Sequence, residues 1–188
     1  MITMNARQLI LERRSVRAYT DQPIPNEMIE EILEAAIYAP THKLREPWRF
    51  VLANEDGQAR YVDQLMNLLA ARGQLDQKTD EQRQLMRQKF ADVPVYLTVL
   101  YEVQGTEDQQ MEDLLATAAM IQNIQLLATE LGLGCCWKSG KHWFTDGYAE
   151  LIGATETERV VGVIQLGWPA VIPPLKKRTA ARDKLTHF

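Results

Sequence analysis

The sequence predicts one domain of mixed helices and strands, α+β or α/β, with about four strands. Three observations carry that expectation. The run from Val93 to Tyr101 is continuously apolar or β-branched, which is the pattern of a buried strand. The segment from Gln109 to Leu131 is apolar or small on most faces, which marks a helix central to a core or to a subunit interface. Around these two, the patterns follow in the order α, α, β, α, α, β, α, β, α, β.

Taken along the chain, Met4 to Glu12 is a good helix former with Asn5 as its cap. Ala18 to Pro25 carries two prolines and reads as an extended connection. Pro25 and Asn26 open a second helix, in which Ile29, Ile32, Leu33, Ala36 and Ile37 recur at helical spacing and Pro40 is the stop. Thr41 to Trp48 is polar and cationic, a loop. Trp48 to Ala53 is a strand, and Asn54 to Gly57 a turn. The next helix turns Val62, Leu65, Met66 and Leu69 inward. Residues 74–92 are nearly all polar and read as a surface helix or a lid. After the long helix, Gly134 to Gly140 is a strand or loop. Thr145 and Asp146 can cap a short helix ending at Gly153, and Val160 to Leu166 is the last strand. Residues 169–188 hold three prolines and several basic side chains but no core of their own, so they are expected to lie on a partner subunit.

A length of 188 residues suits a single domain, 1–188, able to bury a real core. The net charge of −4 argues against a general nucleic-acid binder, which needs a positive field. No leader pattern opens the chain, and no apolar run has the length of a membrane span. The two cysteines, Cys135 and Cys136, are adjacent and would bridge only with strain. They are read as reduced and the protein as cytoplasmic.

Against that acidic background, Arg13-Arg14-Ser15-Val16-Arg17 stands out at the end of the first helix. Guanidinium groups offer a rigid fork of donors matched to phosphate or carboxylate. In an extended segment Ser15 and Arg17 fall on one side. The cluster is either an anion clamp for a phosphorylated cofactor or a solvated basic surface at a helix C-terminus. The usual phosphate-cradling glycine motifs are missing. His42, His142 and His187 sit far apart without ligand-spaced carboxylates or cysteines, so no metal is expected. No nucleophile elbow is present, and both cysteines stand in an apolar setting that disfavours nucleophilic work.

Three segments together resemble the FMN-dependent nitroreductase family: the arginine-serine cluster, the loop from Ala39-Pro40-Thr41 to Pro47-Trp48, and Gly132 to Gly140. The chain is most similar to the small single-domain YdjA-like branch. The resemblance implies an α+β homodimer with a central mixed sheet of about four to five strands flanked by helices, and an extended C-terminal arm. It implies FMN as cofactor, with NADH or NADPH as reductant and a nitroaromatic or quinone as small-molecule acceptor in a ping-pong cycle. No nucleic acid or membrane partner is implied. The flavin carries the chemistry, so no side chain is assigned as catalytic.

By the same resemblance Arg13, Arg14, Ser15 and Arg17 would hold the phosphate, ribityl chain and pyrimidine edge. Tyr38 and His42 would reach the partner's flavin, with Lys43 nearby. Trp137, Lys138 and Ser139 would line the flavin and its phosphate, with Gly140 allowing close approach. Lys176 and Arg178 resemble a basic pair of the family's tail. Leu44 and Glu46 depart from the Asn and Gln of many relatives, which bears on acceptor choice. Other outcomes on the same fold are a non-redox flavin-binding or storage protein, and a flavin enzyme of dehalogenation or flavin cleavage.

Overall fold

The computed structural model describes residues 5–188, the side chain of Asp56 excepted. The expected helix start at Met4 and the reading of the first four residues lie outside them. Asn5 caps α1 (Ala6–Glu12) through a reciprocal pair of bonds: its side chain accepts from the Gln8 amide, and the Gln8 side chain accepts from the Asn5 amide, both at 3.0 Å. The extended segment that follows pairs with the end of the last strand. Thr20 donates to Trp168 O at 2.8 Å and Ala170 to Ala18 O at 3.0 Å.

Helix α2 (Asn26–Ala36) buries Ile29, Ile32 and Ala36. After β1 (Trp48–Ala53), α3 spans Glu55–Ala71 and α4 spans Asp80–Ala91. Next come β2 (Val95–Glu102), α5 (Glu107–Glu130), β3 (Gly134–Lys138), the short α6 (Tyr148–Leu151) and β4 (Glu158–Gly167). Thr79 and Thr106 open α4 and α5 with the same reciprocal cap that opens α1.

The four strands lie in the order β1-β2-β4-β3, and every neighbouring pair is antiparallel. The α+β class and the strand number agree with expectation. The mixed character does not extend to these strands; parallel pairing among the described residues is the lone bridge between Ser15 and Cys135. Strand direction is set by how connections return to the sheet, which alternation in the sequence does not encode.

The sheet divides two cores. On one face α2 and α5 pack Ile29, Ile32, Met120, Ile121 and Ile124 against Leu97, Val99 and Ile164. On the other, Val62, Leu65, Leu69, Phe90 and Tyr148 cover Tyr96, Leu100 and Val163. Strand β2 feeds both, because successive side chains alternate between faces. Each large apolar side chain so buried contributes about 1.5–3 kcal/mol.

Two boundaries differ from the sequence reading. Asn54 to Gly57 is not a free turn: Asn54 is the N-cap of α3, and Gly57 and Gln58 donate to its carbonyl. An asparagine before acidic residues suits a turn and a helix start equally. At α6 the N-cap is Gly147, while Thr145 Oγ1 instead accepts a bond from Gln74 Nε2 at 3.0 Å. Beyond Pro169 the chain runs exposed, with a single 3-10 turn at Ala181–Lys184. Among the described residues no helix is long and apolar enough to cross a membrane.

Candidate functional site

The arginine cluster and the segment after the long helix meet. Val16 donates its amide to Cys135 O at 3.0 Å, the bond of the Ser15–Cys135 bridge. Val16 is turned inward, while Ser15 and Arg17 are exposed on the other side, as alternation in an extended segment requires. The approach is close because Gly134 lies beneath Val16: a Cβ there would sit 2.7 Å from the valine. Residues 13–17 therefore form an extra edge along β3, whose end carries Trp137, Lys138, Ser139 and Gly140.

The three guanidinium groups are held differently. Arg13 Nη1 reaches Gln125 Oε1 on α5 at 3.3 Å. Arg14 Nη1 folds back onto Leu11 O at 2.7 Å and Arg13 O at 2.9 Å, closing the C-terminus of α1. Its Nε is buried with no partner among the described residues. Arg17 lines a cleft of about 950 Å³ that Lys138, Lys89, His142 and the buried Gln165 also line. Ion pairs among the described residues involve Arg45, Arg49, Arg87 and Arg182, so Arg13, Arg14, Arg17 and Lys138 have no carboxylate partner there. Asp21, Glu55 and Asp92 also line the cleft and match its cations in number, so the excess of positive charge lies along Arg13 to Arg17.

Trp137 supplies a second orphan. Its Nε1 is buried without a hydrogen-bond partner among the described residues. That nitrogen faces Gly162 of β4, where an added Cβ would collide with it, so Trp137 is packed onto the strand; the buried Nε of Arg14, in the cationic segment, is the donor left to an acceptor. A phosphate answers that need, and the guanidinium donors of residues 13–17 fit the phosphate of FMN. Burial pushes the Cys135 thiol up to about 12, against the pull of Arg13, which keeps it an inert neighbour. Burial also raises the Tyr19 hydroxyl, which donates to Val16 O at 2.7 Å and pins the turn after the cluster.

The loop beyond Gly140 is clasped by a residue that sequence reasoning missed. Gln74 donates to Thr145 Oγ1, and its Oε1 lies 3.0 Å from His142 Nδ1. Burial, then Lys141 and Lys78, lowers the His142 pKa, so the ring is neutral at pH 7. No local signal joins Gln74 to His142; only the fold does.

Tyr38, His42 and Lys43 are not gathered with the arginines within one protomer. Their loop is anchored by Arg45 to Asp113 of α5, whereas Arg13 meets Gln125 of the same helix. Those two positions are separated by about 18 Å along the helix axis. Tyr38 is 88% exposed. The loop is strained: Lys43, Leu44 and Glu46 have φ of 53°, 52° and 46°. Each left-handed non-glycine residue costs about 1–2 kcal/mol. Lys176 and Arg178 lie on the exposed tail and make no hydrogen bond among the described residues.

Comparison with known proteins places these features. The model of the nitroreductase family matches residues 10–168. YfhC of Bacillus subtilis, provisionally named an NAD(P)H nitroreductase, is 38% identical over 185 residues, covering 97% of this chain and 93% of its own. A solved nitroreductase-like protein from Bacillus cereus superposes with a TM-score of 0.87 at 35% identity, over 100% of this chain and 98% of that one. A nitroreductase-fold protein of Desulfovibrio desulfuricans, solved in complex with FMN, shares the fold at a TM-score of 0.75 and 24% identity, covering 98% of each chain.

Proposed function

The chain belongs to the nitroreductase family, and on that premise we propose that it is an FMN-dependent oxidoreductase that draws on NADH or NADPH and reduces nitroaromatics or quinones. The observation that carries this reading is the strip of unpaired cations, Arg13, Arg14, Arg17 and Lys138, brought to one edge by the Ser15–Cys135 bridge. The orphaned Nε of Arg14 on that strip supports it. The FMN-bound relative of the same fold agrees with it.

When bound, FMN supplies the ring that accepts and passes on reducing equivalents. Arg13, Arg14 and Ser15 hold its phosphate and ribityl chain by charge-assisted bonds. Arg17 and Lys138 would place cations beside the ring and favour its electron-rich form, within a cleft that Asp21, Glu55 and Asp92 also line. Ser139 and Gly140 would form the wall beside the ring, with Trp137 backing it from the other face of β3. Reductant and acceptor use one place in turn, so no separate dinucleotide fold is needed.

The reading includes a homodimer. Met111 and Leu115 on α5, Ile10 and Leu11 on α1, and the tail's Val171, Ile172 and Leu175 are large apolar side chains left exposed in one protomer. A second copy would cover them, bring its Tyr38, His42 and Lys43 toward the first protomer's arginines, and receive the arm of residues 169–188 with Lys176 and Arg178. The cytoplasm, where reduced nicotinamides are at hand, is the compartment that suits the activity.

The test is optical. Protein purified with FMN should be yellow, bleach on addition of NADH or NADPH without oxygen, and recover colour when a nitroaromatic or quinone is added. A yellow protein that neither reductant bleaches is a flavin binder and not a reductase; a colourless protein that takes up no FMN sinks the reading altogether.

A further inference from the structure

The loop between α2 and β1 holds a combination that its sequence alone does not explain. Three non-glycine residues within four positions, Lys43, Leu44 and Glu46, are left-handed. Such conformations persist only where surrounding structure over-determines them. Within the loop itself the restraints are weak: Arg45 N to His42 O at 3.2 Å and Glu46 N to Thr41 Oγ1 at 3.4 Å. The strong restraint comes from outside. Arg45 Nε donates to Asp113 Oδ1 at 2.7 Å and Arg45 Nη2 to Glu112 Oε2 at 2.8 Å. A third, longer bond runs from Nη2 to Gln109 O at 3.4 Å.

Asp113 is fully buried in the second turn of α5 and is the one carboxylate on a buried side otherwise made of apolar residues and the uncharged Thr117 and Gln125. A charge at such a position is expensive unless paired. Arg45 is its ion-pair partner among the described residues, and Asp113 Oδ2 has no hydrogen-bond partner there. An apolar residue would fill the place more simply. The pair is therefore placed where it costs stability, and what it delivers is a fixed geometry for a strained loop.

We propose that Arg45 is a positioning residue: its fork onto Asp113 and Glu112 locks the left-handed turn Lys43–Glu46, and so sets where His42 and Lys43 are presented to FMN and acceptor. The inference rests on the functional reading above, in which that loop meets the cofactor. Arg45 acts through the loop, since its guanidinium is turned onto α5. Its effect is to remove the ordering cost that the loop would otherwise impose on binding.

The experiment removes the lock without leaving an orphaned charge. The double variant Arg45→Met with Asp113→Leu replaces the pair by apolar groups, which such sites tolerate without loss of fold. FMN affinity is read by titrating apoprotein with FMN and following the quenching of flavin fluorescence. Thermal midpoint is read on the same apoprotein. With the lock gone, FMN should bind about tenfold more weakly and the acceptor KM should rise, while the thermal midpoint holds or increases. Arg45→Lys, which keeps one ion pair but loses the fork, should fall between the wild type and the double variant. If the double variant folds and binds FMN as the wild type does, with unchanged KM, the pair is structural only and the inference is overturned. If the double variant fails to fold, Arg45→Lys alone decides by the same affinity and KM comparison. Should the wild-type apoprotein itself take up no FMN, the functional reading has failed, an outcome distinct from equal binding by both proteins.

Discussion

The amide of Val16 donates to the carbonyl of Cys135 at 3.0 Å, and through this bond the arginine cluster is attached to the sheet. The bond is possible because Gly134 leaves room for the valine side chain. Gly134→Ala would put a methyl 2.7 Å from Val16, where neither side chain can yield without moving the backbone. It should destabilise the protein by about 1–3 kcal/mol. It should also weaken FMN uptake, because Arg13–Arg17 and Trp137–Gly140 would no longer share one edge. Thermal denaturation and fluorescence titration of the same variant check both; an undisturbed FMN affinity would detach the bridge from cofactor binding.

The arginines should separate by what else they do. Arg17 makes no hydrogen bond among the described residues, so Arg17→Ala should lower FMN affinity by about tenfold, the scale of one charge-assisted bond, at unchanged thermal midpoint. Arg14 also closes the end of α1 through Leu11 O and Arg13 O, so Arg14→Ala should lower both affinity and midpoint. Equal midpoints for the two variants would count against the capping role. The affinity loss from Arg17→Ala should shrink as salt is raised, because screening already weakens what the substitution removes.

Trp137 packs across β4 where Gly162 has no side chain. A Cβ at Gly162 would collide with the Trp137 indole nitrogen and lie 2.8 Å from the Lys138 carbonyl. Gly162→Ala should therefore displace the Trp137–Lys138 wall, shifting the tryptophan emission spectrum and lowering flavin occupancy. Gly57, in α3 with open space about it, is the control. There alanine should add about 0.5–1 kcal/mol of stability and leave occupancy alone.

Acid sensitivity should trace to Glu158. Its carboxylate accepts from Arg49 Nε at 2.5 Å and Nη2 at 2.8 Å, and from the Thr155 amide at 2.8 Å. Arg49 is the main cause that holds its pKa down, to about 2 from an ordinary 4.5. A depressed folded-state pKa means that the unfolded chain binds the proton first. The contribution is whole above pH 4.5 and is lost as pH falls toward about 2. Urea midpoints for the wild type and Glu158→Gln should differ most at neutral pH and converge over that window. A constant gap down to pH 2 would assign the stabilisation elsewhere.

Much of this architecture was legible in the residues. Asn5, expected as a cap, opens α1; Thr79 and Thr106 stand the same three positions before a glutamine and open α4 and α5, a signal that was present but unread. The apolar run from Val93 to Tyr101 was expected as a buried strand and is β2 from Val95; that it feeds two cores is a finding of the fold. The order of motifs led to the family, which the comparisons bear out. Illegible parts were those set by distant pairing. Strand direction, the Gln74–His142 clasp and the Arg45–Asp113 pair each join residues far apart in the chain. One clue was present: Asp113 interrupts the apolar face of α5, and a buried carboxylate requires a cation from somewhere. Nothing in the sequence said that Arg45 would supply it.

The two thiols carry a last implication. Being consecutive on β3, Cys135 and Cys136 are directed to opposite sides of the sheet, and both are buried. Cys135 Sγ lies 3.8 Å from Gln125 O, under α5, with β3 between it and its neighbour. Neither sulfur can reach the other while the strand is intact, whatever the surrounding oxidant. A bridge between them is thus excluded by strand geometry, in air as in glutathione, so its absence carries no information about where in a cell the protein works.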